Sequence, residues 1–275
     1  MEIPESDRKL IENLSLSDNL AFAIALDDNP RCAEYIISTI LCRDDIRIKD
    51  VHTQLHKERI GKSIIYDLHA RDKKGNVYVC EMQKVLISSK EIMARASYYE
   101  AMLAGETLRK GMKRYSDMKE RTVIFITFND AGGRGKAICN YSYMEEEKYY
   151  MPNTKSKLVM ANAMFDGKME EGFRVFSADI VEKDLGRIVT PVLKEALMRV
   201  KGSEKEMIQT YGMIEEIKAK AAASARKESF REGEKKGINK VAVNMLKANF
   251  TFSDISISTG LSMDAIQKIA DSIKQ

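Results

Sequence analysis

The stretch that most constrains this chain is a pair of short extended segments joined by a tight turn. SIIYDLHARD (63–72) and NVYVCEMQKV (76–85) are rich in the β-branched and aromatic residues that fit a pleated surface. Lys73-Lys74-Gly75-Asn76 lies between them, with Gly and Asn where a reversing backbone needs them, so the two segments close into a β-hairpin. A lone hairpin is not stable in water, and further strands or a helix must cover its apolar side.

The rest of the chain supplies both. The first ~45 residues read as helical. Ser17 or Asp18 caps the run LAFAIAL, and Pro30 restarts a second helix with Ile36, Ile37, Ile40 and Leu41 on its apolar side. IRIKDVHTQL (46–55) is a further extended segment. A long helix follows the hairpin from Ser88 to Arg109, with Ile92, Ala96, Tyr99 and Leu103 as its stripe and Gly111 as its stop. RTVIFITF (121–128) is a continuous apolar run, as in a strand buried on both faces. Weaker strands are expected within 138–150 and 157–165. Helix returns from Asp179, restarts at Pro191, and continues through an Ala/Glu/Lys-rich stretch at 203–236. The expectation is an α/β core over residues 1–177, a helical arm over 178–236 and a small helical tail over 237–275.

Composition narrows the function classes. Hydrophobic residues make up 44% of the 275, enough for a real core, yet no stretch approaches the ~20 apolar residues that cross a bilayer. The N-terminus lacks a basic head followed by an apolar run, so neither export nor a membrane is expected, and a cytoplasmic location is. Cys32, Cys42, Cys80 and Cys139 form no C-x-x-C pair, which argues against zinc and against a disulfide scaffold. His52 and His56 stand four apart in an extended segment without a third ligand, and read as surface residues. GGRGK (132–136) fails as a phosphate loop, because Asp130 replaces the first Gly and Ala137 the Ser/Thr. The net charge of +4 is weak, and its excess falls within 194–240, where a solvated helix face explains it better than a nucleic-acid strap.

The sharpest chemical feature is in the hairpin. Strand period two puts Glu81 and Gln83 on one face with Met82 pointing away, and the turn brings Asp67 across from them. Two carboxylates from neighbouring strands offer the oxygen donors and negative charge that a hard divalent cation needs. Such an ion activates water and offsets charge in phosphoryl transfer. Gln83 is placed to orient that water or to bond a phosphate. The bland alternative is a hairpin whose polar residues face solvent. His69, two residues after Asp67, shares its face.

The run SIIYDLHARDKKGNVYVCEMQ resembles the PD-(D/E)XK nuclease core in the version carried by the Rpn recombination-promoting nucleases, also described as transposases. Asp18 within Ser17-Asp18-Asn19-Leu20-Ala21-Phe22, the group Arg95-x-x-Tyr98-Tyr99 and strand 121–128 follow that family's order over residues 15–165. The resemblance implies a restriction-endonuclease-like αβββαβ core with a mixed sheet of four or so strands. It implies a metal-dependent endonuclease using Mg²⁺ or Mn²⁺, with Asp67, Glu81, the Met82 carbonyl and Asp18 as ligands. Asp67, Glu81 and Gln83 would be catalytic, and DNA the partner, with RNA left open. Its setting would be recombination, mobile elements or phage defence. Gln83 is neutral where lysine is usual, and Lys62 or Lys84 lies near enough in sequence to supply charge. Ala23 stands where the family often has Lys.

Arg95 and Tyr98 share a helix face, either to grip a backbone phosphate or to pack the helix on the sheet; Tyr99 is assigned to the core. In the tail, two short helices around Thr259-Gly260-Leu261-Ser262 suit half of a helix-turn-helix or an oligomerisation element making a homo-oligomer. The rival to an enzyme is a weakly active or inactive protein of the same fold, serving as a nucleic-acid-binding or regulatory module.

Overall fold

The computed structural model describes residues 2–57, 64–85, 88–108, 111–152 and 154–273. Lys62, a candidate cation, lies outside the described residues.

Three helices open the chain: α1 (Glu5–Glu12), α2 (Asn19–Leu26) and α3 (Pro30–Leu41). Pro30 occupies the first turn of α3, where its missing N–H costs nothing, and the Asn29 side chain accepts from the Cys32 N–H. β1 (Ile48–Lys57), β2 (Ile64–Asp72) and β3 (Val77–Gln83) follow as an antiparallel meander. Gly75 makes the β2–β3 turn at φ 86°, a left-handed conformation that a Cβ would strain. The crossover helix α4 (Ser89–Thr107) then leads to β4 (Arg121–Thr127), which lies parallel to β3. α4 ends at Thr107, before Gly111.

β5 (Ile138–Tyr141) and β6 (Ser156–Asn162) complete one mixed six-stranded sheet in the order β1-β2-β3-β4-β6-β5. The architecture is α/β, and all six extended segments expected from the sequence join one sheet, two more strands than the four or so that the resemblance implied. β6 is parallel to β4, and β5 antiparallel to β6 at the edge. β5 is four residues long, well short of the span 138–150.

Alternation sends each strand's apolar residues to two cores. Tyr78, Cys80, Met82, Ile124 and Ile126 face one core, with residues of α2, α3, α5 (Glu171–Val181) and α6 (Pro191–Lys201). Val77, Val79, Val123 and Phe125 face the other, with Ile92, Ala96, Tyr99 and Leu103 of α4. All seven residues of β4 are buried, as a central strand covered on both faces requires.

The first compact unit runs from Met1 to Gly212 and the second from Met213 to Gln275. The sequence expectation of a boundary at 177 falls inside α5. Asp179, buried near its end, accepts from the backbone N–H groups of Val189 (3.0 Å) and Thr190 (2.7 Å) and so anchors the segment leading to α6. Leu193, Ala196, Leu197 and Val200 of α6 then join the core, so this stretch belongs to the first unit.

Helix α7 (Glu204–Lys247) runs from the first unit into the second. Within the second unit, Ala242, Ile255 and Ile266 bring together α7, α8 (Phe252–Thr259) and α9 (Met263–Ile273) in a small core. A reciprocal capping box between Thr251 and Asp254 starts α8, and Gly260 ends it at φ 71°. Among the described residues, no helix is long and apolar enough to cross a membrane.

Candidate active site

β2 and β3 part company at Asp67. Their ladder runs from Arg71↔Val77 to Leu68↔Cys80 and is not continued to the next position. There the two strands are joined through side chains instead. The Asp67 N–H donates to Glu81 Oε1 at 3.1 Å, and the Met82 N–H donates to Asp67 Oδ2 at 2.9 Å. Each acid is thus held by the other strand's main chain or supports it, and both carboxylates sit in the wedge where the sheet opens. On the other flank, Gln54 of β1 adopts a left-handed backbone (φ 49°) between the pairs Thr53↔Leu68 and Leu55↔Tyr66. Its side chain reaches Asp67 Oδ1 at a long 3.4 Å.

α4 brings a cation to the same place. Arg95 Nη2 donates to Glu81 Oε2 at 2.5 Å and Nη1 to Gln83 Oε1 at 3.1 Å. Tyr99, one turn further along the helix, accepts from Arg95 Nε (3.1 Å) and Nη2 (2.9 Å) and donates to Glu81 Oε2 at 3.1 Å. The Tyr99 ring is wedged edge-on to Tyr66 and stacked along Phe125. Gln83 is fixed at its other end, where Nε2 donates to the Val85 carbonyl at 2.8 Å.

These contacts set the acids' proton affinities. Glu81 is only 1% exposed; burial, and then the neighbouring Asp67 charge, push its carboxyl up to about 8 against the pull of Arg95. Burial also raises Asp67, partly offset by the Met82 N–H and by Arg95. Burial raises the Tyr99 hydroxyl too, so it remains a proton donor to Glu81. Burial opposes the Arg95 charge, but Tyr99 and Glu81 outweigh it and keep the guanidinium firmly protonated.

The sequence candidates fare differently. Asp67, Glu81, Gln83 and Arg95 come together, while the Met82 side chain turns into the opposite core. Asp18 does not join them: its Oδ1 pairs with Lys84 Nζ at 2.7 Å, and its Oδ2 accepts from the Ser15 N–H at 2.9 Å. Burial favours the neutral acid there, yet Lys84 and Ser15 hold the Asp18 carboxyl below its usual range. Asp18 and Lys84 instead line a cavity of about 490 Å³ with Ser15, Phe128 and Lys183. At the start of α2, Asp18 is thus engaged by Lys84 and Ser15, and no hydrogen bond among the described residues joins it to the hairpin acids. Tyr98 packs partly buried against the α4 core. The helix partner of Arg95 is Tyr99, which the apolar stripe had placed in the core alone; the i, i+4 spacing was the signal for the pair. His69 bonds Glu106 at 2.8 Å, with both side chains nearly buried, and so fastens β2 to α4.

Comparison of the chain with protein-family models, with curated proteins and with solved structures finds no match. The chemistry of the site therefore rests on its own donors. Among the described residues, no group of three or more His, Cys, Asp or Glu side chains forms a metal cage. The two hairpin acids nonetheless fit a divalent cation. Among the described residues, Asp67 Oδ1 carries only the long Gln54 contact and Glu81 Oε1 only the Asp67 N–H, which leaves acceptor capacity on both acids. Mg²⁺ is commonly bound by one or two carboxylates, with water and substrate phosphate filling the other positions.

Proposed function

We propose that this protein is a metal-dependent nuclease that hydrolyses phosphodiester bonds in DNA, on a PD-(D/E)XK-type core. The reciprocal bonding of Asp67 and Glu81 at the fork of β2 and β3 carries this reading. Two acids brought together where the β2–β3 ladder stops supply oxygen donors side by side, which a purely structural hairpin has no need of. The strand order with parallel β3, β4 and β6, and with α4 as the crossover, supports the same core.

Asp67 and Glu81 would hold Mg²⁺ or Mn²⁺, which supplies Lewis acidity to the phosphodiester when bound. The chain's own part is positioning. The Met82 N–H fixes Asp67, and the Asp67 N–H fixes Glu81, so neither acid needs to reorganise as charge develops. Gln83, held by Arg95 and by Val85, keeps one amide hydrogen to orient the attacking water. As the water oxygen bonds to phosphorus, the bond from phosphorus to the leaving sugar oxygen breaks. One water proton ends on that oxygen and the other is lost to solvent. The test is plasmid nicking with Mg²⁺, Mn²⁺ or EDTA, alongside a single-stranded RNA substrate. Metal-dependent cutting of DNA that Asp67→Ala abolishes is expected. Cutting that survives EDTA or the substitution overturns the reading, and cutting of RNA alone reassigns the substrate.

A further inference from the structure

Gln83 leaves the site short of positive charge. Two carboxylates and one divalent ion sum to zero, so nothing remains to balance the extra negative charge that gathers on a phosphodiester under attack. Two cations stand near the end of β3 among the described residues. Lys84 is turned to the other side of the sheet and is held there by Asp18 at 2.7 Å, with its Nζ near the Phe128 ring. Arg95 reaches both Glu81 and Gln83.

We propose that Arg95 is the catalytic cation of this site, supplying from α4 the charge that a neutral Gln83 cannot supply from β3, and that Tyr99 is its positioning residue. This assignment rests on the nuclease reading above. A guanidinium has five N–H donors in a fixed plane. Four are used: one on Tyr99 from Nε, one on Gln83 from Nη1, and one each on Glu81 and Tyr99 from Nη2. The remaining N–H is on Nη1, beside Gln83; it has no acceptor among the described residues, and with the side chain 34% exposed it is the donor a phosphate oxygen would take. The rest of the group packs on aromatic rings. Its carbon lies 5.2 Å from the Tyr99 ring centre and 5.6 Å from that of Phe125. Tyr99 is locked by Tyr66 at 5.3 Å and Phe125 at 6.2 Å between ring centres. A cation held by a rigid ring costs little reorganisation when the substrate arrives.

The experiment combines single-turnover cleavage of a DNA duplex, Mn²⁺ titration by calorimetry, and DNA binding in EDTA, for wild type and four variants. Arg95→Ala should slow cleavage by ~100-fold or more. Mn²⁺ should bind it at least as tightly as wild type, because a competing positive charge has left Glu81. Arg95→Lys should recover part of the rate. Gln83→Lys placed in the Arg95→Ala background should regain about tenfold, by returning the charge to the strand. Tyr99→Phe keeps the ring and should slow cleavage by about tenfold with DNA affinity unchanged. The assignment is overturned if Arg95→Ala cuts within about threefold of wild type. It is equally overturned if Arg95→Ala loses Mn²⁺ binding and thermal stability together with activity, which marks a structural strut, or if the double variant regains nothing. Wild type that shows no metal-dependent cutting fails the nuclease reading itself, and the assignment falls with it.

Discussion

The hairpin of β2 and β3 buries a carboxylate at its turn and holds a pair at its open end, Glu81 buried and Asp67 half-buried, and the two ends treat them differently. At the turn, Asp72 is 3% exposed and saturated by its neighbours: the Asn76 N–H and Nδ2 donate to it at 2.8 Å each, and the Tyr78 hydroxyl at 3.2 Å. Every donor comes from within six residues, so the acid closes its own loop. At the fork, Glu81 accepts from the Asp67 N–H, Arg95 and Tyr99, and Asp67 from the Met82 N–H and, at a long distance, Gln54; these donors come from other elements as well as the hairpin, and burial drives both acids toward their neutral forms. A carboxylate whose lone pairs are filled by the chain serves the chain. One left partly unfilled beside another acid is available to something else.

Exchanging the two ends' acids for alanine breaks this contrast most sharply. Asp67→Ala should reduce metal-dependent cleavage by ~10³-fold or more, while chemical denaturation of the metal-free protein shifts by only about 1 kcal/mol. Asp72→Ala should do the reverse. It strands the Asn76 and Tyr78 donors in the interior and should lower stability by about 2–4 kcal/mol, with cleavage by the folded fraction retained. Equal stability losses in urea melts of the two variants would erase the distinction.

Acidity separates the ends next. Glu81 is moved from 4.5 up to about 8, by burial first and the Asp67 charge second, so across that window the folded chain keeps a proton that the unfolded chain has lost. That contribution is fully present below the unfolded value and disappears as pH rises through the folded one. Metal-free protein should therefore lose stability, of order 1–3 kcal/mol, between about pH 5 and about pH 8, with Asp67 adding in the same direction. Thermal melts in EDTA of wild type and Glu81→Gln measure this; the amide variant should show the flatter slope. The smallest effect is expected at Asp18. Its ion pair with Lys84 is partly exposed, so Asp18→Asn should cost about 1 kcal/mol or less. Cleavage should stay within a few-fold of wild type, since Lys84 and Ser15 engage the carboxylate; a loss as deep as that of Asp67→Ala would mark it as a ligand.

Sequence carried the hairpin well because its determinants are local. Alternation and the Lys73–Asn76 turn place Glu81 and Gln83 on one face and fix which residues oppose each other. Tyr99 shows where such reading stops. At its place in the stripe of Ile92, Ala96 and Leu103 it is core, and its ring is core, but its hydroxyl emerges at Glu81. Periodicity assigns a residue to a face and says nothing about the tip of an amphipathic side chain. Asp18 shows a related limit: its helix-start position is local, whereas its partner Lys84 is 66 residues away and is brought by the sheet. The boundary at 177 was misplaced because Asp179 looks like the onset of a polar arm. In the fold it is itself buried, accepts from the Val189 and Thr190 N–H groups and holds the chain against the core.

The crossover α4 also ties the charge at the fork to the order of assembly. Asp67 and Glu81 can meet as soon as the hairpin zips, but Arg95 takes its place only when the helix lies down on Val123 and Phe125, which β4 must first provide. Until then the nascent sheet holds two adjacent anions with nothing to quiet them. A doubly charged counterion in the refolding buffer would relieve that repulsion early, so the rate at which the chain reaches its native state should rise with millimolar magnesium.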